Sequence, residues 1–460
     1  MITRRDLGRR LGAGALGARL GVSAQSQSPN FVILLADDLG YGDLGCYGNT
    51  NIRTPHLDRM ATEGARLTEF YAAPTCTPSR AALLTGRYPL RSGMIRVLIP
   101  REHFGLPTSE ITLAQALKQR GYRTACIGKW HLGDLPPFRP NRHGFEYFYG
   151  LLYSNDMAAP LLRWPPLRLY RNDRVIESPV RQATLTQRYT EEAIHFIERS
   201  RSAPFFLYVA YAMPHVPLAA SQDFRGRSSY GIYGDAVEEI DWSVGRIMAA
   251  LARYGLDRNT VVVFSSDNGP ALGTSHRGGS AGVLRGGKGT TWEGGVRVPC
   301  LIRWPARIPA GVVRPGVSSN MDLFTTFVEA AGAGLAPEHV LDGRNLEPFL
   351  SGRTAAPDRP FFYYSGTVLC AVRVGVWKLH WITYELGARG RPRGRVLCDP
   401  PELYNLESDP GEYRDVATAN PEIVRKLTDS TRNFQSQLIP GKLPPARWRA
   451  LVPYRFSRIT

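Results

Sequence analysis

Four apolar runs, each about one strand long and each ending in polar residues, set the pattern of this chain. Phe31 to Ala36 ends at Asp37-Asp38, Arg123 to Ile127 at Gly128-Lys129-Trp130-His131, Phe205 to Ala212 at Pro214-His215, and Val261 to Ser265 at Asp267-Asn268-Gly269. Continuous apolar runs, as opposed to alternating ones, belong to strands covered on both faces, as in parallel sheets. Helical periodicity fills the intervals at Pro55 to Gly64, Thr112 to Arg120, Thr184 to Arg201, Tyr233 to Tyr254 and Met321 to Ala331, mostly closing on Gly or a turn. The alternation predicts an α/β fold with a large mixed, mostly parallel sheet flanked by helices. Polar residues delivered by successive strand ends then meet at one sheet edge, where open α/β sheets bind ligands.

The two ends of the chain read differently. After about Pro357, strand-like runs at Phe361 to Tyr364, Ala371 to Val374 and Trp377 to Thr383 are separated by turn signals, and Pro421 to Leu438 is helix-like. This predicts a smaller C-terminal α+β subdomain containing an antiparallel sheet. Residues 1–24 carry Thr3-Arg4-Arg5-Asp6-Leu7, a small-residue stretch from Leu11 to Val22 and a cleavage site at Val22-Ser23-Ala24, the form of a twin-arginine-like export signal. Arg19 interrupts its apolar region, and without a working signal the chain stays in the cytoplasm instead of the periplasm or the extracellular space. The organisation expected is a signal (1–24), a catalytic domain (25–355) and the C-terminal subdomain (356–460). No other stretch approaches the roughly 20 apolar residues of a membrane span. Gly269 to Gly295 is Gly-rich and low in apolar residues, a loop wrapped around a site.

Charge adds a second constraint. The formal net charge is +17, which favours polyanions, yet there is no run of five basic residues and no aromatic-interleaved basic stripe, which disfavours nucleic acid. Only six of the 57 basic residues are Lys, so Lys129 and Lys288 stand out against an Arg background. The six cysteines show no CxxC spacing, and the sequence dictates no disulfide.

Asp37, Asp38, Asp267 and Asn268 bring three carboxylates and an amide oxygen to strand ends. These are hard donors that suit Ca2+ or Mg2+ and not Zn2+. Taken singly, each pair is also what an N-cap or an Asx-turn uses. Arg80, Lys129, His131, His215 and Lys288 complete a pocket for a tetrahedral oxyanion, although alone the histidines read as core residues and Lys288 as a solvated charge. Cys76, in Cys76-Thr77-Pro78-Ser79-Arg80 leading to Thr85-Gly86-Arg87, is either a buried structural thiol or a reactive one.

In that company the Cys76 to Arg87 stretch resembles the signature of the formylglycine-dependent sulfatases of the alkaline phosphatase superfamily, whose cysteine is oxidised to an aldehyde by a formylglycine-generating enzyme. The resemblance runs from Asn30 to about Asp415, through Ala36 to Asp43, Gly128 to Gly133, Tyr153-Ser154-Asn155-Asp156, Ser266 to Pro270, Gly287 to Thr291 and Leu403 to Pro410. It is most similar to the arylsulfatase A and N-acetylgalactosamine-6-sulfatase branch. The resemblance implies a sulfuric ester hydrolase acting on aryl or carbohydrate sulfates through a sulfated formylglycine hydrate. It implies Ca2+ held by Asp37, Asp38, Asp267, Asn268 and the modified Cys76, with Arg80, Lys129 and His131 around the aldehyde. His215 and Lys288 fall on the leaving-group side, Ser154 on the sulfate, and Lys129 on both aldehyde and sulfate. His215 is then the general acid, aided by Lys288, and His131 the base that releases sulfate.

Gly279-Ser280-Ala281-Gly282 stands where the animal lysosomal enzymes carry a disulfide cysteine, a departure that fits bacterial-style export. The alternatives are a phosphonate monoester or phosphodiester hydrolase of the same superfamily, and a non-catalytic binder of sulfated glycans that keeps Cys76 as a thiol. The alcohol half of the substrate is expected against Leu90 to Phe104, Leu152 to Arg174, the Gly-rich segment and His380.

Overall fold

The computed structural model describes residues 28–158, 164–272, 278–335, 339–356 and 358–438, so the export signal read from residues 1–24 lies outside it. In the larger of two sheets are β1 (Asn30–Ala36), β2 (Ala65–Tyr71), β3 (Arg123–Lys129), β4 (Tyr147–Leu151), β5 (Leu169–Arg171), β6 (Arg174–Glu177), β7 (Phe205–Ala210), β8 (Thr260–Ser266), β9 (Arg297–Arg303), β10 (Val312–Arg314) and β11 (Ser318–Ser319). Their order is β10-β2-β9-β8-β1-β7-β3-β4-β5-β6, with β11 beside β2. The centre, β8-β1-β7-β3-β4, is parallel throughout. Antiparallel pairing enters at β9 and at the β4-β5-β6 edge.

Every residue of β1, β7 and β8 is buried, the outcome required of continuously apolar strands at the middle of a sheet. Helices supply the cover. In the one at Leu185–Ser200, Leu185, Tyr189, Ala193, Phe196, Ile197 and Ser200 form the buried face at three- and four-residue spacing. The helix at Gly231–Arg253 packs beside it and against α1 (Pro55–Glu63). α2 (Cys76–Thr85) is buried at all ten positions and packs on the helix at Asn320–Ala330.

The smaller sheet is antiparallel, β12 (Phe361–Ser365), β13 (Val368–Val374), β14 (Trp377–Leu386) and β15 (Pro392–Asn405), in that order. An apolar cluster including Tyr71, Ala82, Tyr88, Phe361, Phe362 and Leu379 joins it to α2 and the main sheet. Three of its four strands fall where the turn signals put them. β15 does not, because Pro392, Pro400, Pro401 and a series of arginines break the strand pattern; Pro is tolerated there on an outer strand. Among the described residues no helix is long and apolar enough to cross a membrane.

Candidate active site

The ends of β1, β3 and β8 and the segment after β7 converge on the first turn of α2. Cys76 is the first residue of that helix, and its Sγ lies 3.6 Å from Asp37 Oδ1. Ligand atoms of Asp37, Asp38, Cys76 and His215 all lie within 4.8 Å of one another, each residue buried. One turn along α2, Arg80 donates through Nε and one terminal nitrogen to Asp267 Oδ2 at 3.0 and 2.7 Å, and through the other to the Lys129 carbonyl at 2.8 Å. Lys129 Nζ pairs with Asp37 Oδ2 and donates to Ser154 Oγ at 3.1 Å. Lys288 Nζ lies 2.7 Å from Asp38 Oδ1 and 2.8 Å from Oδ2, and Asn268 Nδ2 donates to Asp38 Oδ1 at 2.8 Å.

Local backbone geometry is set to aim these groups. Asp38 (φ 66°) and His131 (φ 60°) adopt the left-handed conformation, which costs a side-chain-bearing residue on the order of 1 kcal/mol. Asp38 is held there by its own N–H on Asp267 Oδ1 (3.2 Å) and by the next N–H, of Leu39, on Ser266 Oγ (2.9 Å). Thr77 Oγ1 donates to the His131 carbonyl at 2.8 Å and accepts from the Leu98 N–H at 3.2 Å. Gly128, before Lys129, has φ 112°, and a Cβ there would sit 1.8 Å from the Ala210 carbonyl oxygen. Only glycine lets β3 end this close to β7.

The tautomers of both histidines follow from their acceptors. His131 Nε2 lies 3.0 Å from the Leu98 carbonyl and must donate to it, leaving Nδ1 as a buried lone pair with no partner. His215 Nδ1 lies 2.6 Å from the Val216 carbonyl and donates likewise, so Nε2 is the atom that faces Asp38 Oδ2 at 3.6 Å.

Burial and charge act together on the ionisable groups. Burial holds His131 well below its ordinary range, and the neighbouring Lys129 and Arg80 reinforce this, so it is neutral. Burial alone would raise the Asp37 carboxyl, but Lys129, His215, Arg80 and Lys288 outweigh it and hold it well below the carboxylate range. Burial and then the Asp37 charge push Asp267 up to about 6, against Arg80 and Lys129. Burial would lower Lys288, yet Asp38 keeps it well above the usual lysine value. Burial pushes the Cys76 thiol up despite Lys129 and Lys288, so an unmodified Cys76 is no thiolate nucleophile.

The donor set fits a hard divalent cation. Asn268 Oδ1 is a buried acceptor without a donor, and with the carboxylates of Asp37, Asp38 and Asp267 it makes an oxygen set of the kind Ca2+ or Mg2+ takes. The candidates for the aldehyde, the sulfate and the cation are thus in one place: Asp37, Asp38, Cys76, Arg80, Lys129, His131, Ser154, His215, Asp267, Asn268 and Lys288. His380 is not. It is wholly buried, its Nε2 is 2.8 Å from Glu412 Oε1 and its ring is 4.8 Å from that of Trp292, so it is part of the packing beneath the Gly-rich loop and no contact for substrate. Thr77 and the Leu98 carbonyl position His131 and were not anticipated; Thr77 lies inside the recognised motif, whereas a backbone carbonyl leaves no trace in a sequence. All six cysteines are free.

Comparison with known proteins gives concordant results. Residues 29–333 match the family model described as sulfatase, and residues 356–448 match that of the C-terminal region of aryl-sulfatase. The chain is 40% identical to the steryl-sulfatase of Mus musculus over 517 residues, covering 90% of this chain and 83% of that one. It is 40% identical to the N-acetylgalactosamine-6-sulfatase of Canis lupus familiaris over 466 residues, covering 92% and 89%. Among solved structures it superposes on the PsFucS1 sulfatase from Pseudoalteromonas sp. with a TM-score of 0.84 at 30% identity, covering 90% of this chain and 91% of that one.

Proposed function

The chain belongs to the sulfatase family and is a sulfuric ester hydrolase, and from that premise we propose that it acts on aryl or carbohydrate sulfates through a formylglycine made from Cys76, with Ca2+ beside it. The observation that carries this reading is the meeting of Cys76 with Asp37, Asp38 and His215 inside 4.8 Å, ringed by Arg80, Lys129 and Lys288. Modification requires a formylglycine-generating enzyme as a partner during maturation. An aldehyde hydrate at this carbon supplies a hydroxyl that attacks sulfur and a second one whose deprotonation expels sulfate. A cation held by Asp37, Asp38, Asp267, Asn268 and residue 76 supplies electrostatic stabilisation of the sulfate oxygens.

The chain's own residues do the rest. Lys129 and Lys288 sit on carboxylates at the base of the pocket and turn their charge toward a bound sulfate, with Ser154 as a hydroxyl contact beside Lys129. His215, as the doubly protonated imidazolium, presents Nε2–H to the departing oxygen as general acid, oriented by its Nδ1–H on the Val216 carbonyl. His131, neutral and with Nδ1 unpartnered, is the base for the second hydroxyl. Arg80 fixes Asp267 and the end of β3. We take residues 25–355 as the catalytic domain and 356–460 as the subdomain that closes its side, and residues 1–24 as an export signal.

Mass spectrometry of the Cys76 peptide from active protein tests the central claim, the expected mass being that of the aldehyde or its hydrate. Cys76→Ala abolishes turnover of a chromogenic aryl sulfate, and Cys76→Ser, lacking the second hydroxyl, turns over at most once. A thiol in fully active protein, or multiple turnover by Cys76→Ser, sinks the formylglycine mechanism. Elemental analysis tests the cation: calcium is expected at one equivalent and is lost together with activity in Asp38→Ala. A phosphodiester cleaved faster than every sulfate ester would move the reading to the phosphonate monoester and phosphodiester branch.

A further inference from the structure

Beside the site, a cleft of about 300 Å3 runs between α2 and the smaller sheet. Thr75 and Gly289, the chain neighbours of Cys76 and Lys288, are part of its lining together with Tyr88, Phe362 and Tyr364. Arg395 belongs to the same lining. It closes the stretch Arg389-Gly390-Arg391-Pro392-Arg393-Gly394-Arg395, in which every second residue is Arg. This stretch runs from the turn after β14 into the start of β15, and it rests on the loop that carries Lys288. Pro392 Cγ is 3.8 Å from the position a Cβ on Gly289 would take, and Leu272 Cδ1 is 2.8 Å from that of one on Gly390.

Pairing sets Arg395 opposite Tyr384 and Gly394 opposite Glu385, and the register then shifts so that Leu386 faces Pro392, which leaves Arg393 as the extra residue of a bulge one step beyond the paired strand. Arg391, Arg393 and Arg395 are exposed. Arg395 donates to Ser365 O and Oγ at 2.9 and 2.8 Å. Exposed arginines elsewhere, such as Arg53 and Arg171, are held by Glu238 and Glu192. Among the described residues, Arg391 and Arg393 have no such carboxylate within ion-pair distance; the one acid on the facing strand segment is Glu385.

We infer that cleft and turn form a subsite for the unit next to the scissile ester in a polyanionic sulfated glycan, with a ring on the aromatic wall and a second sulfate or a carboxylate on Arg393 and Arg395. The inference rests on the sulfatase reading above. Aromatic side chains pack on the apolar face of a sugar ring, and the planar guanidinium fork matches the paired oxygens of sulfate or carboxylate. An apolar alcohol would use the walls and leave the arginines idle. The chain's excess of positive charge adds a long-range attraction for a polyanion.

The test uses the triple variant R391Q/R393Q/R395Q, which leaves the chemistry untouched, with 4-nitrophenyl sulfate as reporter and dextran sulfate oligosaccharides as competitors. The expected result is a Ki for dextran sulfate weakened by about tenfold or more in the variant, and kcat/KM for 4-nitrophenyl sulfate within about twofold of the parent. Inhibition of the parent falls steeply between about 50 and 200 mM salt, and neutral dextran oligosaccharides do not inhibit. Equal Ki values in the two proteins overturn the inference. So does a parallel fall of the aryl sulfate rate, which would make the arginines structural. Tight binding of a polycyclic sulfate ester, unaffected by the variant and without inhibition by dextran sulfate, overturns it in favour of an apolar alcohol. If the parent fails to hydrolyse 4-nitrophenyl sulfate or any other sulfate ester, the sulfatase reading fails by itself, and calorimetric binding of dextran sulfate to parent and variant still decides the subsite.

Discussion

Arg80 places two N–H groups on one oxygen of Asp267 and a third on the Lys129 carbonyl while wholly buried. Lysine offers a single nitrogen on a longer-hydrated point charge and does not reproduce that fork. Arg80→Lys therefore leaves at least one of these acceptors without a donor in a site that excludes water. A loss of about 3 kcal/mol in stability and of at least about 100-fold in kcat is expected. Urea denaturation and steady-state turnover of an aryl sulfate check both, and a variant keeping more than a tenth of parental kcat contradicts the role given to Arg80. At this scale the sequence was most informative where chemistry and position coincide. Asp37, Asp38, Asp267 and Asn268 follow apolar runs directly, so their meeting at one sheet edge needed only the parallel topology. His380 was misplaced because alternation along β14 says which residues share a face but not which face is covered; Trp292 and Glu412 cover this one. The orientation of His131 was beyond reach, since it depends on the Leu98 carbonyl, and every residue has one.

The Gly-rich element that carries Lys288 has little apolar surface of its own, and a buried ionic cluster fastens it to the smaller sheet. Lys378 Nζ, on β14, donates to the Thr291 carbonyl at 2.8 Å and lies 2.9 Å from both Glu293 Oε1 and Glu412 Oε1. Tyr71 donates to Glu293 Oε2 at 2.6 Å. Burial would raise Glu293, but Lys378, Arg373 and Arg297 bring it down to about 2. Its contribution is thus fully present above the ordinary glutamate pKa and is lost as pH falls toward about 2. Lys378→Met takes the cation they share from the Glu293 and Glu412 carboxylates in a dry interior and the donor from the Thr291 carbonyl. A cost of about 3 kcal/mol or more in urea denaturation is expected, with faster amide exchange at residues 287–291 and a lower kcat. Unchanged exchange there with a lowered global stability would separate this cluster from the Lys288 loop. The cluster was not legible in sequence: Lys378 is one of only six lysines, but nothing there links it to Glu293 and Glu412, 85 and about 34 positions away. The long, continuously apolar strands were legible; β2, which alternates, follows α1 directly and pairs with β9 far along the chain, was not, and β15 was not because its prolines and arginines break the strand pattern although it pairs with the neighbouring β14.

For the molecule as a whole, the same exclusion of water that strengthens the site makes the fold sensitive to acid. His131, His143 and His380 are all buried with pKa values pushed down, and burial is the leading cause in each. Groups of this kind are neutral when folded and take up a proton on unfolding once pH drops below about 6.5. Stability is therefore complete above that pH and declines as pH falls, while the excess of basic residues adds self-repulsion in the same direction. Two carboxyls oppose the trend: burial raises Asp43 and Asp241 to about 7, so the folded state holds their protons and their contribution falls as pH rises from about 4 to 7. A bare stability profile mixes these opposing groups, and a single substitution separates one of them. His143 is suited to this, because its pKa is lowered to about 4, its ring packs 5.7 Å from that of Trp130 at a tilt of 30° and it lies outside the group of site residues. In His143→Phe the proton uptake is removed while the ring contact with Trp130 remains. Measured by urea denaturation, the stability of the variant relative to the parent is expected to rise by about 2 kcal/mol between pH 6.5 and pH 4.5. A difference that stays constant across that interval would mean that His143 is already charged in the folded protein.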